Sequence, residues 1–308
     1  MAVALLGRHD DPQVTTVRSA LDDRNTETHV WDATQWPGET PLSFAQRADG
    51  ENMVVDTPVD VETLDAVYFR QIDLDPRTGE LGADFEDRPH AVMNQVREYR
   101  GLLLSLLESL EQQGVSVVNP ASTMRIHGHK PYQLSVFADA GLPVPETLTT
   151  NDPSAVESFV DAVGAAIYKP VGGGGHARTV DDATLSADRL ERLANAPVQF
   201  QERLDGDTLR LFVAGDTVVA GGRIHSDELD YRLAEHEVEP YEPDPEIADA
   251  AVRATKALGL RFSGVDIIAE ADRFALLEAN PSPMFATFDE VAGTDVAGQL
   301  ADYLSSFA

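Results

Sequence analysis

The chain is predicted to be a mixed protein, α/β at its N-terminal end and α+β further on, and three patterns carry that prediction. Residues 2–6 are an apolar run closed by Gly7, residues 14–21 carry apolar side chains at helical spacing, and residues 29–31 are a second strand candidate. Strand, helix and strand in that order make a βαβ unit and hence a parallel sheet. From about residue 197 the pattern changes to paired apolar runs joined by short polar tips, AGDT at 214–217 and EADR at 270–273, as in β-hairpins. Between them, Ile247, Ala251, Ala254 and Leu258 share one face of a helix.

The elements follow in order. Residues 40–58 read as irregular and polar. Residues 66–69 form a buried strand ending on Arg70; that is where open α/β sheets place ligand contacts, or equally a solvated strand end. A long helix from Pro89 to Gln113 is closed by Gly114, with Leu102, Leu103, Leu106, Leu107 and Leu110 as its core stripe. The strand Val115–Val118 is broken by Asn119-Pro120, which places a domain boundary there. A helix from Lys130 to about Ala140 is stopped by Gly141 and the prolines of GLPVP, and a further helix spans Ser154–Val163. The strand Ala166–Lys169 leads into PVGGGGHARTV, and the strand in PVQFQERL follows. The hairpin 209–213/218–220 carries Arg210 and leads to Arg223, Asp230-Tyr231-Arg232 adds a third arginine, and a helix from Val296 to Leu304 closes the chain. Three segments result: 1–118, 119–198 and 199–308.

Composition limits the function. The formal charge of −30 over 308 residues opposes non-specific nucleic-acid binding, because an acidic surface repels phosphates. Of the 23 basic residues only Lys130, Lys169 and Lys256 are lysines, and there is no cysteine, which suits a protein that stays soluble in high salt. The lack of cysteine also excludes disulfides and thiolate metal sites. No apolar stretch is long enough to span a membrane, and the N-terminus lacks the basic start and apolar core of a signal peptide, so a cytoplasmic location is expected.

Two groups of residues point to chemistry. Lys130 stands in the first turn of its helix, where the dipole disfavours a cation unless an anion is near. Lys169 directly precedes Gly172, Gly173, Gly174 and Gly175, a run whose backbone N–H groups can wrap phosphate oxygens. Lys256 reads as structural, and His176, His225 and His236 as isolated. The second group lies in the last hairpin. With the turn centred near Asp272, Asp266 falls opposite Glu278, and Asn280, two residues on, shares its face. Two close carboxylates and an amide oxygen form a hard-oxygen set suited to Mg²⁺; the competing reading is a polar outer face.

Taken together and in order, Lys130 before GLPVP, YKPVGGGG, VQFQERL, TLRLFVAGDTVVAGGRI, DYR, GVDIIAE and LEANPSP resemble the ATP-grasp superfamily over residues 119–308. The resemblance implies an ATP-grasp fold behind an N-terminal Rossmann-like (pre-ATP-grasp) substrate domain. It implies that Lys130 and Lys169 hold ATP phosphates, that Gln201, Glu202, Arg203 and Leu204 border the adenine, and that Asp266, Glu278 and Asn280 bind Mg²⁺, with Mn²⁺ as a substitute. Arg232 would face the γ-phosphate and acyl intermediate, with Arg210 and Arg223 lining the same cavity. Within the superfamily the chain is similar to RimK-type glutamate ligases; ETLTTNDPSAVESF and DAVYFR also look like the ligases that macrocyclise microviridin-type ribosomal peptides. Two departures stand out. Leu233-Ala234 follows the DYR arginine where RimK-type enzymes have Ser-Asn, and Thr208 stands where they have Asp, with Asp207 one place earlier as the candidate replacement.

The function this implies is an ATP-dependent carboxylate–amine ligase working through an acylphosphate. A peptide macrocyclase, a kinase on the same fold and a non-catalytic nucleotide sensor are the competing readings. The partners would be a carboxylate and an amine, small-molecule or peptide, with neither nucleic acid nor membrane; a homo-oligomer is left open by the resemblance.

Overall fold

The structure is a computed structural model that describes residues 1–32, 42–46, 48, 52–56, 59–72, 74–75, 77 and 79–307. It forms two compact units, residues 1–122 with 297–308, and residues 123–296.

The first unit begins with β1 (Ala2–Leu6), α1 (Pro12–Asp23) and β2 (Glu27–Trp31). Every residue of β1 is buried, as a central parallel strand requires. α1 starts where Asp11 accepts a hydrogen bond from the Gln13 N–H and Pro12 fills the first helical position. A hairpin follows, β3 (Ser43–Gln46) and β4 (Asn52–Asp56), then β5 (Ala66–Phe69), α2 (Gly79–Phe85), α3 (Pro89–Gln112) and β6 (Ser116–Val118). The expectation of irregular chain over 40–58 is corrected by that hairpin, whose backbone register pairs Phe44 with Val54. Strand pairing there is a two-segment property that the polar composition of the stretch conceals; residues 40–41, 47, 49–51 and 57–58 lie outside the described residues. The sheet runs β2-β1-β5-β6, all parallel, and Leu103, Leu106, Leu107 and Leu110 of α3 are buried. Arg70 is buried rather than solvated, and its Nε lies 3.2 Å from Asp11 Oδ2, tying the end of β5 to the cap of α1.

The second unit contains α4 (Lys130–Asp139), β7 (Thr147–Thr150), α5 (Pro153–Val163), β8 (Ala166–Pro170), β9 (Arg178–Thr179), the one-turn α6 (Ala187–Leu190) and β10 (Val198–Glu202). It continues with β11 (Asp207–Ala214), β12 (Thr217–His225), β13 (Glu237–Pro240), α7 (Pro245–Ala257), β14 (Phe262–Ala269), β15 (Phe274–Asn280) and α8 (Ala286–Ala292). Two antiparallel sheets result, β7-β10-β8-β9 and β13-β12-β11-β14-β15. A small core of Val156, Leu190, Leu193 and Phe200 backs the first. A larger one joins Phe137 of α4 and Ile247, Ala251 and Ala254 of α7 to Leu209, Leu211, Val265 and Leu276 of the second. From Ala297 the chain returns to the first unit through α9 (Val296–Ser305), where Arg24 donates to both carboxylate oxygens of Asp302 at 2.6 and 2.9 Å. Among the described residues no helix is long and apolar enough to cross a membrane.

Candidate active site

The β14–β15 hairpin pairs Asp266 with Glu278 and Gly264 with Asn280. Its tip closes with the Glu270 N–H donating to Arg273 O, and near that turn Ala269 pairs with Phe274. Continued unbroken, that register would set Asp266 against Leu277 and turn Glu278 to the opposite face. A β-bulge between Ile267 and Asp266 inserts Leu277 as the extra residue and restores the Asp266–Glu278 pair. Across the other edge of β14, Asp266 faces Arg210 of β11. The guanidinium takes it bidentately, Nε to Oδ1 at 2.7 Å and Nη2 to Oδ2 at 2.8 Å.

Lys130 forms an ion pair with Glu278, so the anion that its position at a helix N-terminus demands is a candidate metal ligand. Gln133, one turn further along α4, fixes this junction: its amide oxygen accepts the Ala279 N–H at 2.8 Å and its NH₂ donates to Ile126 O at 2.9 Å. Lys169 on β8 donates to Gln201 Oε1 at 3.1 Å, and Gln201 Nε2 donates to Thr147 Oγ1 at 2.9 Å. Burial, then the neighbouring Lys130 charge, pulls the Lys169 ammonium down from 10.5 to about 8. Burial pushes Asp266 up despite the Arg210 fork. Burial also pushes Glu278 up, but Lys130, Lys169 and Arg210 outweigh it and hold this carboxyl below its ordinary value. Glu278 is therefore the more firmly ionised of the pair.

These groups line one cleft. It brings together Lys130, Lys169, Arg210, Arg232, Asp266 and Glu278, with Gly173 and Gly175 of the glycine run and Gln201, Glu202, Arg203 and Leu204 at the end of β10. Ile167, Ile268 and Leu277 give it apolar walls. The four glycines are not equivalent. Gly173 and Gly174 have φ of +87° and +77°, and a Cβ on Gly175 would come within 2.7 Å of Pro170 Cγ. Glu202 accepts the Glu146 N–H at 3.1 Å, and Arg203 pairs with Asp205 at 2.8 Å, so both are anchored at the rim.

Five of the sequence-selected residues are not among those lining this cleft: Gly172, Gly174, Asp207, Arg223 and Asn280. Arg223 pairs across the ladder with Leu209, a core residue, so its side chain leaves the sheet on the face opposite to Arg210. There it meets Asp207 at 3.2 Å and lies over the Tyr241 ring. Asn280 shares the face of Glu278, but its Oδ1 accepts the Ser282 N–H at 3.0 Å and lies 3.2 Å from His127 Nδ1. The sequence reading passed over Gln133, Thr147, His127, Tyr231 and Asp230. Asp230 caps the turn that carries Arg232, and the Asp-x-Arg spacing was the available signal. His176, read as isolated, lies 3.4 Å from Asp230. Among the described residues there is no cluster of three or more His, Cys, Asp or Glu side chains, so a metal here would rest on Asp266, Glu278 and non-carboxylate oxygens.

The sequence profile of the RimK-like ATP-grasp domain matches residues 129–304. A probable alpha-L-glutamate ligase of Xanthomonas campestris pv. campestris (strain 8004) is 31% identical over 212 residues, covering 65% of this chain and 73% of that protein. The structure of the ATP-grasp ligase PsnB, complexed with a phosphomimetic variant of its minimal precursor, Mg and ADP, superposes with a TM-score of 0.87 at 37% identity over 99% of this chain and 98% of that one. The macrocyclase MdnC from Microcystis aeruginosa MRC, bound with precursor peptide MdnA, shares the fold with a TM-score of 0.80 at 21% identity, over 99% of each chain. The family match over more than half of the chain, with these relatives, places the chain in the RimK-like ATP-grasp family of ATP-dependent ligases.

Proposed function

We propose that the protein joins a carboxylate to an amine at the expense of ATP through an acylphosphate. The observation that carries this is the convergence of Lys130, Lys169, Arg210 and Arg232 on a cleft that also presents Asp266 and Glu278. A carboxylate oxygen attacks the γ-phosphorus and ADP leaves; the amine nitrogen then attacks the acyl carbon, inorganic phosphate leaves and the amine loses a proton. The difficulty is bringing two anions together, which fixed cations relieve. Lys130 and Lys169 hold phosphate oxygens, Arg232 and Arg210 hold the transferred phosphoryl group and the acyl oxygens, and the glycine loop covers the intermediate from water. Asp266 and Glu278, with the Asn280 amide, suit Mg²⁺, or Mn²⁺ in its place, which when bound neutralises phosphate charge. For Asn280 to take part, its amide must turn from Ser282 and His127. Asp207 and Arg223 act together as a structural pair in this reading.

Two observations favour a peptide as the carboxylate donor. A groove shares Thr208, Arg210, Tyr231 and Arg232 with the cleft and carries exposed Leu233, Met284 and Val291 on its wall. A PsnB structure at 35% identity is complexed with precursor peptide PsnA2. Leu233, where RimK-type enzymes have a polar residue, gives that groove an apolar surface suited to peptide side chains. The test is ADP release with hydroxylamine as acceptor: a carboxylate-dependent hydroxamate is expected, and ATP turnover that yields no hydroxamate with any carboxylate overturns the ligase reading. With a peptide encoded beside the gene and rich in Thr, Ser, Asp, Glu or Lys, macrocyclisation appears as loss of one water per bond, whereas a phosphorylated, uncyclised product favours the kinase reading. The acidic, lysine-poor composition supports an enzyme of a high-salt habitat.

A further inference from the structure

The carboxylate of Asp230 is buried, with 5% of its side chain exposed, and both oxygens are engaged by two segments far apart in sequence. Oδ1 accepts the Arg232 N–H at 3.2 Å and Arg232 Nε at 2.7 Å. Oδ2 accepts Arg232 Nη2 and the backbone N–H of Ala177, the latter at 3.1 Å, and lies 3.4 Å from His176 Nδ1. Arg232 Nη2 also reaches back to the carbonyl of Gly175 at 3.3 Å. The end of the glycine loop and the arginine are therefore tied to one anion and to each other. Burial pushes the Asp230 carboxyl up, but Arg232 and the Ala177 N–H bring it down to about 2, so it is charged at any working pH.

A run of four glycines has no side chains of its own with which to fix a conformation, and ordering it costs more entropy per residue than any other sequence. Such a loop closes reproducibly only if something outside it supplies a fixed anchor. We propose that Asp230 is a positioning residue that latches the glycine loop, residues 172–177, to Arg232, so that closure over the nucleotide and orientation of the arginine at the transferred phosphate are set by one carboxylate. Two of Arg232's donors are committed to Asp230, which fixes the plane of the guanidinium and leaves its Nη1 edge for substrate oxygens. The inference rests on the cleft being an ATP site, and it adds a coupling between lid and phosphate clamp.

The test is amide hydrogen exchange of the full-length nucleotide-free protein with Asp230→Asn, followed by steady-state kinetics. Exchange at residues 172–177 should quicken at least tenfold while β11 and β12 are unchanged. The KM for ATP should rise severalfold, and a larger share of ADP should be released without amide product, because an unlatched loop admits water. A purely structural Asp230 would quicken exchange in β11 and β12 as well and leave the ratio of ADP to product unchanged. Should Asp230→Asn disturb those strands, an amide-to-ester replacement at residue 177, which removes only the donated N–H and leaves the Asp230–Arg232 fork, decides by the same criterion. Unchanged exchange at 172–177 in a folded variant overturns the latch. Slowing of loop exchange by ADP and Mg²⁺ in the unaltered protein tests the nucleotide site separately, so failure of one leaves the other standing.

Discussion

Lys169 titrates at about 8 because burial strips water from its ammonium and Lys130 repels it, and this makes phosphate binding dependent on pH. Unfolded, the residue keeps its proton to its ordinary 10.5; folded, it keeps it only to about 8. Between those values the unfolded state carries the extra proton, so this group makes the free protein more stable as pH rises through the window. Bound phosphate reverses the bias by favouring the ammonium. Nucleotide affinity should therefore fall by about tenfold per pH unit above 8, with close to one proton taken up on binding; calorimetry in buffers of different ionisation enthalpy measures both. Lys130 supplies a second residue-scale prediction. It neutralises Glu278 while no phosphate is present, so Lys130→Ala should tighten Mn²⁺ binding to nucleotide-free protein, read by electron paramagnetic resonance. The same variant should weaken ATP by about 10- to 150-fold, the range of one lost charge-assisted hydrogen bond.

The last hairpin works as a site because of one inserted residue. Without the bulge at Leu277 the tip register would place Glu278 on the far side of the sheet from Asp266. Locating the turn from the polar tip alone leaves that offset undetermined, since a bulge depends on how two strands pair. The junction between α4 and β15 is equally a matter of packing, and it rests on Gln133, which is 1% exposed. Gln133→Leu would orphan the Ala279 N–H and the Ile126 carbonyl inside the protein, at about 1–3 kcal/mol each. The expected loss is about 2–6 kcal/mol in a urea melt, together with weaker nucleotide binding, since Lys130 and Glu278 sit on the two elements that Gln133 joins. An undiminished melt midpoint would show that water replaces both bonds.

At the scale of the molecule, −30 formal charges repel one another, and salt that screens them to a few ångströms relieves the repulsion. Thermal stability should rise between about 0.1 and 3 M KCl, where loss of surface ion pairs alone would lower it; the midpoint of a circular-dichroism melt decides the sign. The lysine shortage has a spatial meaning too: Lys130 and Lys169 are in the cleft, and Lys256 pairs with Asp216 at 2.7 Å on the surface. Much of this was legible in the chain, because periodicity, glycine runs and the order of motifs are local. They determined the βαβ opening, the hairpins, the candidate lysines and carboxylates, and the family. Even the separation of Arg210 from Arg223 was within reach, since Asp207 and Leu209 alternate with Arg210 along one strand. What only the tertiary structure decided is who pairs with whom: Arg210 with Asp266, Lys130 with Glu278, Arg70 with Asp11, and Asp230 with the end of the glycine loop. Those pairings depend on strand register, a bulge and the burial of charges among segments up to 148 residues apart, and no local pattern encodes them.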